Sequence, residues 1–277
     1  MSLNIDLTGT VAVVTGVTSG IGAGIAGEFA RAGASLVGCG RRPGTDEGAL
    51  AFVETAERQG VEALYVRRDV SDADGPRSLI TAAMERFGRL DYVISNAGRN
   101  VFTGVDATTL SEWQECMDLN LRSHWLLAQA AAPHLRAAAE LTRPESAGGP
   151  VFLVDASNHA YSTMPGCFPY NTNKAALIAL VQSLAIEWGP EIRAVGLAPG
   201  YIETEGARSW FESFSDPAEE RRRTEALHPA GRLGTPEEVG GICVFLASRY
   251  AAFITGSTIL ADGGRSALMQ DGVKEYR

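Results

Sequence analysis

Residues Thr10–Gly22 read TVAVVTGVTSGIG, and the chain continues AGIAGEFARAG to Gly33. The apolar, β-branched run predicts a buried strand, and the periodic apolar positions beyond Gly22 predict a helix. Gly16, Gly20 and Gly22 stand where strand turns into helix. Glycine lets a backbone come close to a phosphate, and the first turn of a helix offers free N–H groups and the positive end of its dipole. Gly16, Ser19, Gly20, Ile21 and Gly22 are therefore the candidate cradle for a dinucleotide pyrophosphate, with a merely tight turn as the alternative. A formal G-x-G-x-x-G occurs at Gly22, Gly24 and Gly27. It falls inside the helix, not at the turn, so Gly24 and Gly27 are read as close packing of helix on sheet.

The alternation runs outward from this stretch: SLVGCG, EALYVRRDV, LDYVISNAG, VFLVDAS, IRAVGLAPG and STILADGG are each separated by segments of helical length. Near-continuous apolar strands between helices predict an α/β fold, a single doubly wound Rossmann-type parallel sheet of about seven strands with helices on both faces. No boundary divides the chain, so 1–277 is expected to be one unit. LTRPESAGGP (141–150) and ESFSDPAEERRR (212–223) are predicted as long polar loops, the second within a substrate-covering segment around 201–230.

Composition excludes several functions. A net charge of -9 argues against nucleic-acid binding, which needs basic side chains on phosphates. No apolar run approaches the ~18 residues of a membrane span, and the start MSLNIDLTGT has no signal-peptide pattern, so a cytoplasmic protein is expected. Cys39, Cys116, Cys167 and Cys243 are far apart and read as reduced, mostly buried thiols. The four histidines show no ligand spacing, and no metal is expected. Glu219 to Arg223 alternate in charge as on a solvated helix face.

The second strand should end near Gly40, where an NAD-binding chain commonly carries a carboxylate for the ribose 2′-hydroxyl. Here the text is CGRRPG, without a carboxylate and with two arginines. An arginine fork suits a 2′-phosphate, which favours NADP(H) over NAD(H), with Arg41 the better candidate; solvated loop charges are the alternative. Further on, FPYNTNK (168–174) sets Tyr170 four residues before Lys174, on one face of a helix starting near Pro169.

With these landmarks in order, the chain resembles the short-chain dehydrogenase/reductase family from about Leu7 to Gly264. The matching motifs are Thr15 to Gly22, Asp69-Val70, Asn96-Ala97-Gly98, Asn120 within MDLNL, Ser157 thirteen residues before Tyr170, the Tyr170/Lys174 pair and Pro199-Gly200. The resemblance implies that Tyr170 exchanges a proton with a carbinol oxygen while hydride passes to or from a nicotinamide. Lys174 would bind the ribose and favour ionised tyrosine, a unit charge 4–6 Å away being worth roughly 3–4 kcal/mol. Ser157 would hydrogen-bond the substrate oxygen, and Asn120 would hold a relay water unless it merely bonds backbone. Asp69 and Val70 would meet the adenine end, Asn96, Ala97 and Gly98 the cofactor's back wall, and Ile202 and Thr204 in PGYIET the carboxamide.

Two positions depart from the family pattern, Ser95 before N-A-G and Val195 before the P-G strand end. Aromatic and sulfur side chains at His159, Tyr161, Met164, Cys167, Phe168, Trp210, Phe211 and Phe214 could wall an apolar substrate or pack among themselves. The expected activity is interconversion of a secondary alcohol and a ketone, or a hemiacetal and a lactone, on a small-molecule substrate. Reduction of 3-oxoacyl thioesters is the alternative, and a nucleotide-binding sensor without catalysis a third. A homo-oligomer, tetramer or dimer, is implied by the resemblance, with WQECMDLNLRSHWLLAQAAAPHL and NKAALIALVQSLAIEW as candidate interface helices.

Overall fold

The computed structural model describes residues 4–268; the ends of the expected 1–277 unit lie outside them. Strand β1 (Val11–Thr15) leads into helix α1 (Gly20–Arg31), β2 (Ser35–Gly40) into α2 (Glu47–Arg58), and β3 (Ala63–Arg67) into α3 (Gly75–Phe87). Then follow β4 (Tyr92–Ser95), α4 (Leu110–Met117), α5 (Ser123–Ala139), β5 (Val151–Asp155), α6 (Tyr170–Trp188) and β6 (Arg193–Pro199). Helices α7 (Glu205–Glu212), α8 (Pro217–Ala226) and α9 (Pro236–Ala247) precede the last strand, β7 (Thr258–Ala261). The seven strands form one parallel sheet in the order β3-β2-β1-β4-β5-β6-β7.

Alternation along each strand feeds two cores. Ala12, Val14, Leu153 and Val195 pack with Ile25, Phe29 and Val239 of α1 and α9, while Val13, Val93 and Phe152 pack with Leu79, Leu127 and Val181 of α3, α5 and α6. Burying such a side chain is worth about 1.5–3 kcal/mol, so strands apolar on both sides settle only between two helix layers. Chain order reverses between β1 and β4, and a crevice opens at the carboxyl ends of the strands there.

Three expectations change. The 212–223 stretch is not a loop: it holds the end of α7 and most of α8. Asp216 caps α8 by accepting from the Glu219 N–H at 2.9 Å, and Arg221, Arg222 and Arg223 each pair with a glutamate one turn away. Gly24 packs on a helix rather than the sheet, since a Cβ there would overlap Pro236 at the start of α9. Gly27 is not tightly packed at all, a Cβ meeting only the Thr55 methyl at 3.9 Å. The 141–150 loop is irregular as expected, and its Ser146 hydroxyl donates to the Asp6 carbonyl at 2.9 Å.

Candidate active site

Two of the turn glycines, Gly16 (φ +79°) and Gly20 (φ +56°), lie in the left-handed region that favours glycine. Gly22 is fixed by space: a Cβ would overlap the Gly16 carbonyl. The turn is therefore tight, and its glycines are required by backbone conformation and by space. Ser19 precedes α1 without using its side chain as a cap, which leaves the first turn of that helix open toward the crevice. The turn is tied to β4 through Thr15, the first residue of the motif, for which no separate role was expected. Its hydroxyl accepts from the N–H groups of Asn96 and Ala97 at 2.9 Å each, and its carbonyl accepts from Asn96 Nδ2 at 2.7 Å.

Tyr170 occupies the first position of α6 and Lys174 stands one turn on, with Nζ 5.6 Å from the phenol ring centroid. Lys174 Nζ donates to the Asp155 carbonyl at 2.7 Å, which anchors α6 to the end of β5. Two residues beyond Asp155, Ser157 accepts from the His159 N–H at 3.1 Å, so a short helical turn aims the serine at the tyrosine. Asn120 lies in a π-helical turn, Asp118–Arg122, that interrupts α4 and α5. Its Oδ1 accepts from the Arg99 N–H at 2.9 Å and its Nδ2 donates to the Arg99 carbonyl at 3.0 Å, the backbone-bonding alternative. Gly98 is small for a local reason: a Cβ there would sit 2.9 Å from Asn120 Oδ1 and 3.6 Å from Lys174 Nζ.

The electrostatics differ from the simple expectation. Burial pushes the Tyr170 phenol up, and only Ser157 among its strongest neighbours pulls it down; Asp155 and two thiols push the same way as burial. Lys174 is itself lowered by burial, opposed first by Asp155. Desolvation therefore outweighs the attraction credited to Lys174 alone. The Asp155 carboxyl, a second overlooked residue, is pushed up to about 7 by burial, and its Oδ1 has no hydrogen-bond partner. A carboxylate inside the otherwise apolar VFLVDAS was the available signal.

The remaining predicted residues have structural ties as well. Asp69 accepts from the Ser71 N–H at 2.9 Å, and Val70 is buried in the α3/α5/α6 core. Gly200 follows Pro199 against Asp262, where a Cβ would come within 2.7 Å. Ile202 is buried and pairs with Gly234, while Thr204 caps α7 and its methyl faces Gly20. Ser95, the departure just before N-A-G, hydrogen-bonds His124 at 2.8 Å, and Val195 is core.

Arg41 is exposed beside a hollow of ≈ 440 Å³ lined also by Arg67, Arg68, Asp69 and Asp72. Arg42 instead pairs with Asp46 at 3.5 Å. Around the tyrosine, Phe102 and His159 rings stand 5.4 and 6.0 Å from the Tyr170 ring. Phe102 was not anticipated; backbone bonds of Thr103 and Gly104 to the Phe168 carbonyl bring it there. Tyr201, Trp210, Phe211 and Phe214 form a second aromatic group, and all four cysteines are free and buried.

Comparison with known proteins agrees with this geometry. A family model described as enoyl-(acyl carrier protein) reductase matches residues 16–266. Dehydrogenase/reductase SDR family member 4 of Homo sapiens is 34% identical over 261 residues, 93% of this chain and 88% of that protein. A 3beta-hydroxysteroid dehydrogenase 1 of Eggerthella lenta is 34% identical over 94% of each chain. A mutant short-chain dehydrogenase/reductase of Serratia marcescens superposes with a TM-score of 0.82 at 28% identity, covering 94% of this chain and 99% of that one.

Proposed function

Because the chain belongs to the short-chain dehydrogenase/reductase family and is an NAD(P)-dependent oxidoreductase, we propose that it interconverts a secondary alcohol and a ketone, or a hemiacetal and a lactone, with NADP(H) preferred. The observation that carries this reading is the placement of Ser157, Tyr170 and Lys174 together at the carboxyl edge of β5, with Nζ 5.6 Å from the phenol ring. Bound NAD(P) supplies the carbon that gives or takes hydride. The residues present suit it: a left-handed glycine turn, the open first turn of α1, and arginines around the hollow at the β2 and β3 ends.

In this mechanism Tyr170 holds the proton that the substrate oxygen gains on reduction and takes it back on oxidation. Ser157, hydrogen-bonded to the same oxygen, steadies the developing charge. Lys174, held by the Asp155 carbonyl, presents its charge to the phenol and reaches the cofactor ribose. Asn120 holds Arg99 and, with one Oδ1 lone pair left, a water that links Lys174 to solvent. Gly16, Ser19, Gly20, Ile21 and Gly22 line the pyrophosphate, Arg41 the 2′-phosphate, Asp69 and Val70 the adenine, and Asn96, Ala97 and Gly98 the back wall. Pro199, Gly200, Ile202 and Thr204 border the nicotinamide. Exposed Trp125 on α5 and Ile186 on α6 support a homo-oligomer through those helices. Among the described residues, no helix is long and apolar enough to cross a membrane.

Tyr170→Phe tests the reading. Turnover should fall about 10³-fold with NADPH binding within twofold of wild type; retained turnover overturns Tyr170 as the proton carrier. A second reading, 3-oxoacyl-thioester reduction, is favoured by the description of the matching family model. Relative turnover of an acetoacetyl thioester and of simple cyclic ketones separates the two.

A further inference from the structure

We infer that Arg265 and His228 form an oxyanion-binding subsite at the outer end of the substrate cleft, so that the substrate carries a carboxylate or phosphate-ester group away from its reacting carbon. This deepens the reading of the cleft as a carbonyl/alcohol site and rests on it.

The subsite stands on the turn after β7. Asp262 Oδ1 accepts from the Gly264 N–H at 3.0 Å and its Oδ2 from the Ser266 N–H at 2.8 Å, and the Arg265 N–H donates to the Asp262 carbonyl at 3.1 Å. The turn is seated on the exit of α8: the Ala230 N–H donates to the Gly263 carbonyl at 3.0 Å, and a Cβ at Gly264 would touch Pro229. Arg265 is thus held half-buried, and among the described residues its guanidinium has no carboxylate partner. The acids nearby are engaged elsewhere. Asp262 holds its own turn, Glu220 pairs with Arg223, and Glu203 and Glu225 pair with Arg221.

A second group waits beside it. His228 is 3% exposed; Nδ1 donates to the Thr224 carbonyl at 2.8 Å, and Nε2 has no partner. Ser266 Oγ is buried without a partner too. Two buried polar atoms beside this turn, His228 Nε2 and Ser266 Oγ, therefore lack partners, which is costly unless a ligand completes them, and the half-exposed Arg265 adds a cation without a carboxylate. The Arg265 charge also reaches the cleft: burial first, and Arg265 second, disfavour protonation of His159, whose ring stands 6.0 Å from Tyr170. Burial lowers His228 most, with Arg265 adding to it, while Thr224, Asp262 and Glu225 raise it. An oxyanion bound across Arg265 would accept a bidentate fork and convert His228 Nε2 into a protonated donor.

The test follows histidine nitrogen-15 signals of the full chain at constant ionic strength, with and without NADPH, during titration with levulinate, phosphopantetheine and methyl levulinate. Levulinate or phosphopantetheine should move the His228 signal saturably and raise its titration midpoint, the stronger of the two naming the source, and the neutral ester should do neither. Arg265→Ala should weaken that binding about tenfold or more, with part restored by Arg265→Lys and NADPH binding unchanged in both. Equal response to acid and ester, no response to either anion, or undiminished binding in Arg265→Ala overturns the subsite. Tyr170→Phe should bind the anion like wild type, so loss of the proton mechanism and loss of the subsite give different results.

Discussion

Asn120, Ser157, Tyr170 and Lys174 are each more than nine-tenths buried, on the π-helical turn, the turn just after β5 and α6, whereas Trp210 and Phe214 are 36% and 38% exposed. The first group is cross-tied by hydrogen bonds to β5 and to the Arg99 backbone. The second sits on α7 and the turn that joins it to α8, and the two helices bury only Ala207, Phe211 and Thr224 between them. Proton handling demands fixed geometry, and rigid, sheet-anchored elements supply it. Recognition is left to a segment held by aromatic and charge contacts with itself, which can vary without disturbing the sheet.

The sharpest way to break the comparison is at Lys174. If the buried group works as a unit, Lys174→Met lowers turnover by about a hundredfold or more. Single-turnover kinetics at saturating cofactor check it, and a loss below tenfold would mean that Tyr170 functions without the cross-tie. Next is Asp155, whose burial carries a cost with a definite pH dependence. Its folded carboxyl is pushed up to about 7 from an ordinary 3.8, so between roughly pH 4 and 7 the folded chain holds a proton that the unfolded chain has lost. Stability from this group falls as pH rises through that window and is lowest above it. Asp155→Asn should then match wild type near pH 4 and exceed it by roughly 2–4 kcal/mol at pH 8, read by urea melts. An equal difference at both pH values would remove the charge argument.

Arg41 asks whether an exposed residue can carry binding as strongly as a buried one. Arg41→Ala should raise the Kd for NADPH about tenfold and leave that for NADH unchanged, measured by cofactor fluorescence at fixed salt. A parallel change for both cofactors would place Arg41 off the 2′-phosphate.

The same contrast explains what the sequence made legible. Strand and helix alternation, the glycine turn, and the Ser157, Tyr170 and Lys174 spacing are local patterns written in consecutive residues, and the structure brings them together. Helix α8 was hidden because PAEERRRTEA buries only Thr224 and so shows no apolar stripe. The π-helical turn at Asn120 was hidden because one extra residue in a helix leaves the apolar pattern nearly intact. Thr15, Phe102 and Asp155 meet Asn96, Tyr170 and Lys174 from distant segments, and one sequence carries no mark of who those partners are.

The smallest expected effect tests the α7–α8 side directly. Arg221 is the strut of that segment: Nη1 and Nη2 donate to the two Glu203 oxygens at 2.8 and 2.5 Å, and Nε donates to Glu225 at 2.9 Å. Its side chain is 39% exposed, so solvent screens these pairs and Arg221→Gln should cost less than ~1 kcal/mol of global stability. Locally the consequence differs: amide exchange from Glu203 to Ala226 should speed up while β5 and α6 keep wild-type protection, and salt should bring wild type toward the variant. Faster exchange in β5 and α6 as well would join α7–α8 to the same cooperative unit as Tyr170 and Lys174, and the division of the cleft into a fixed side and an adaptable side would fail.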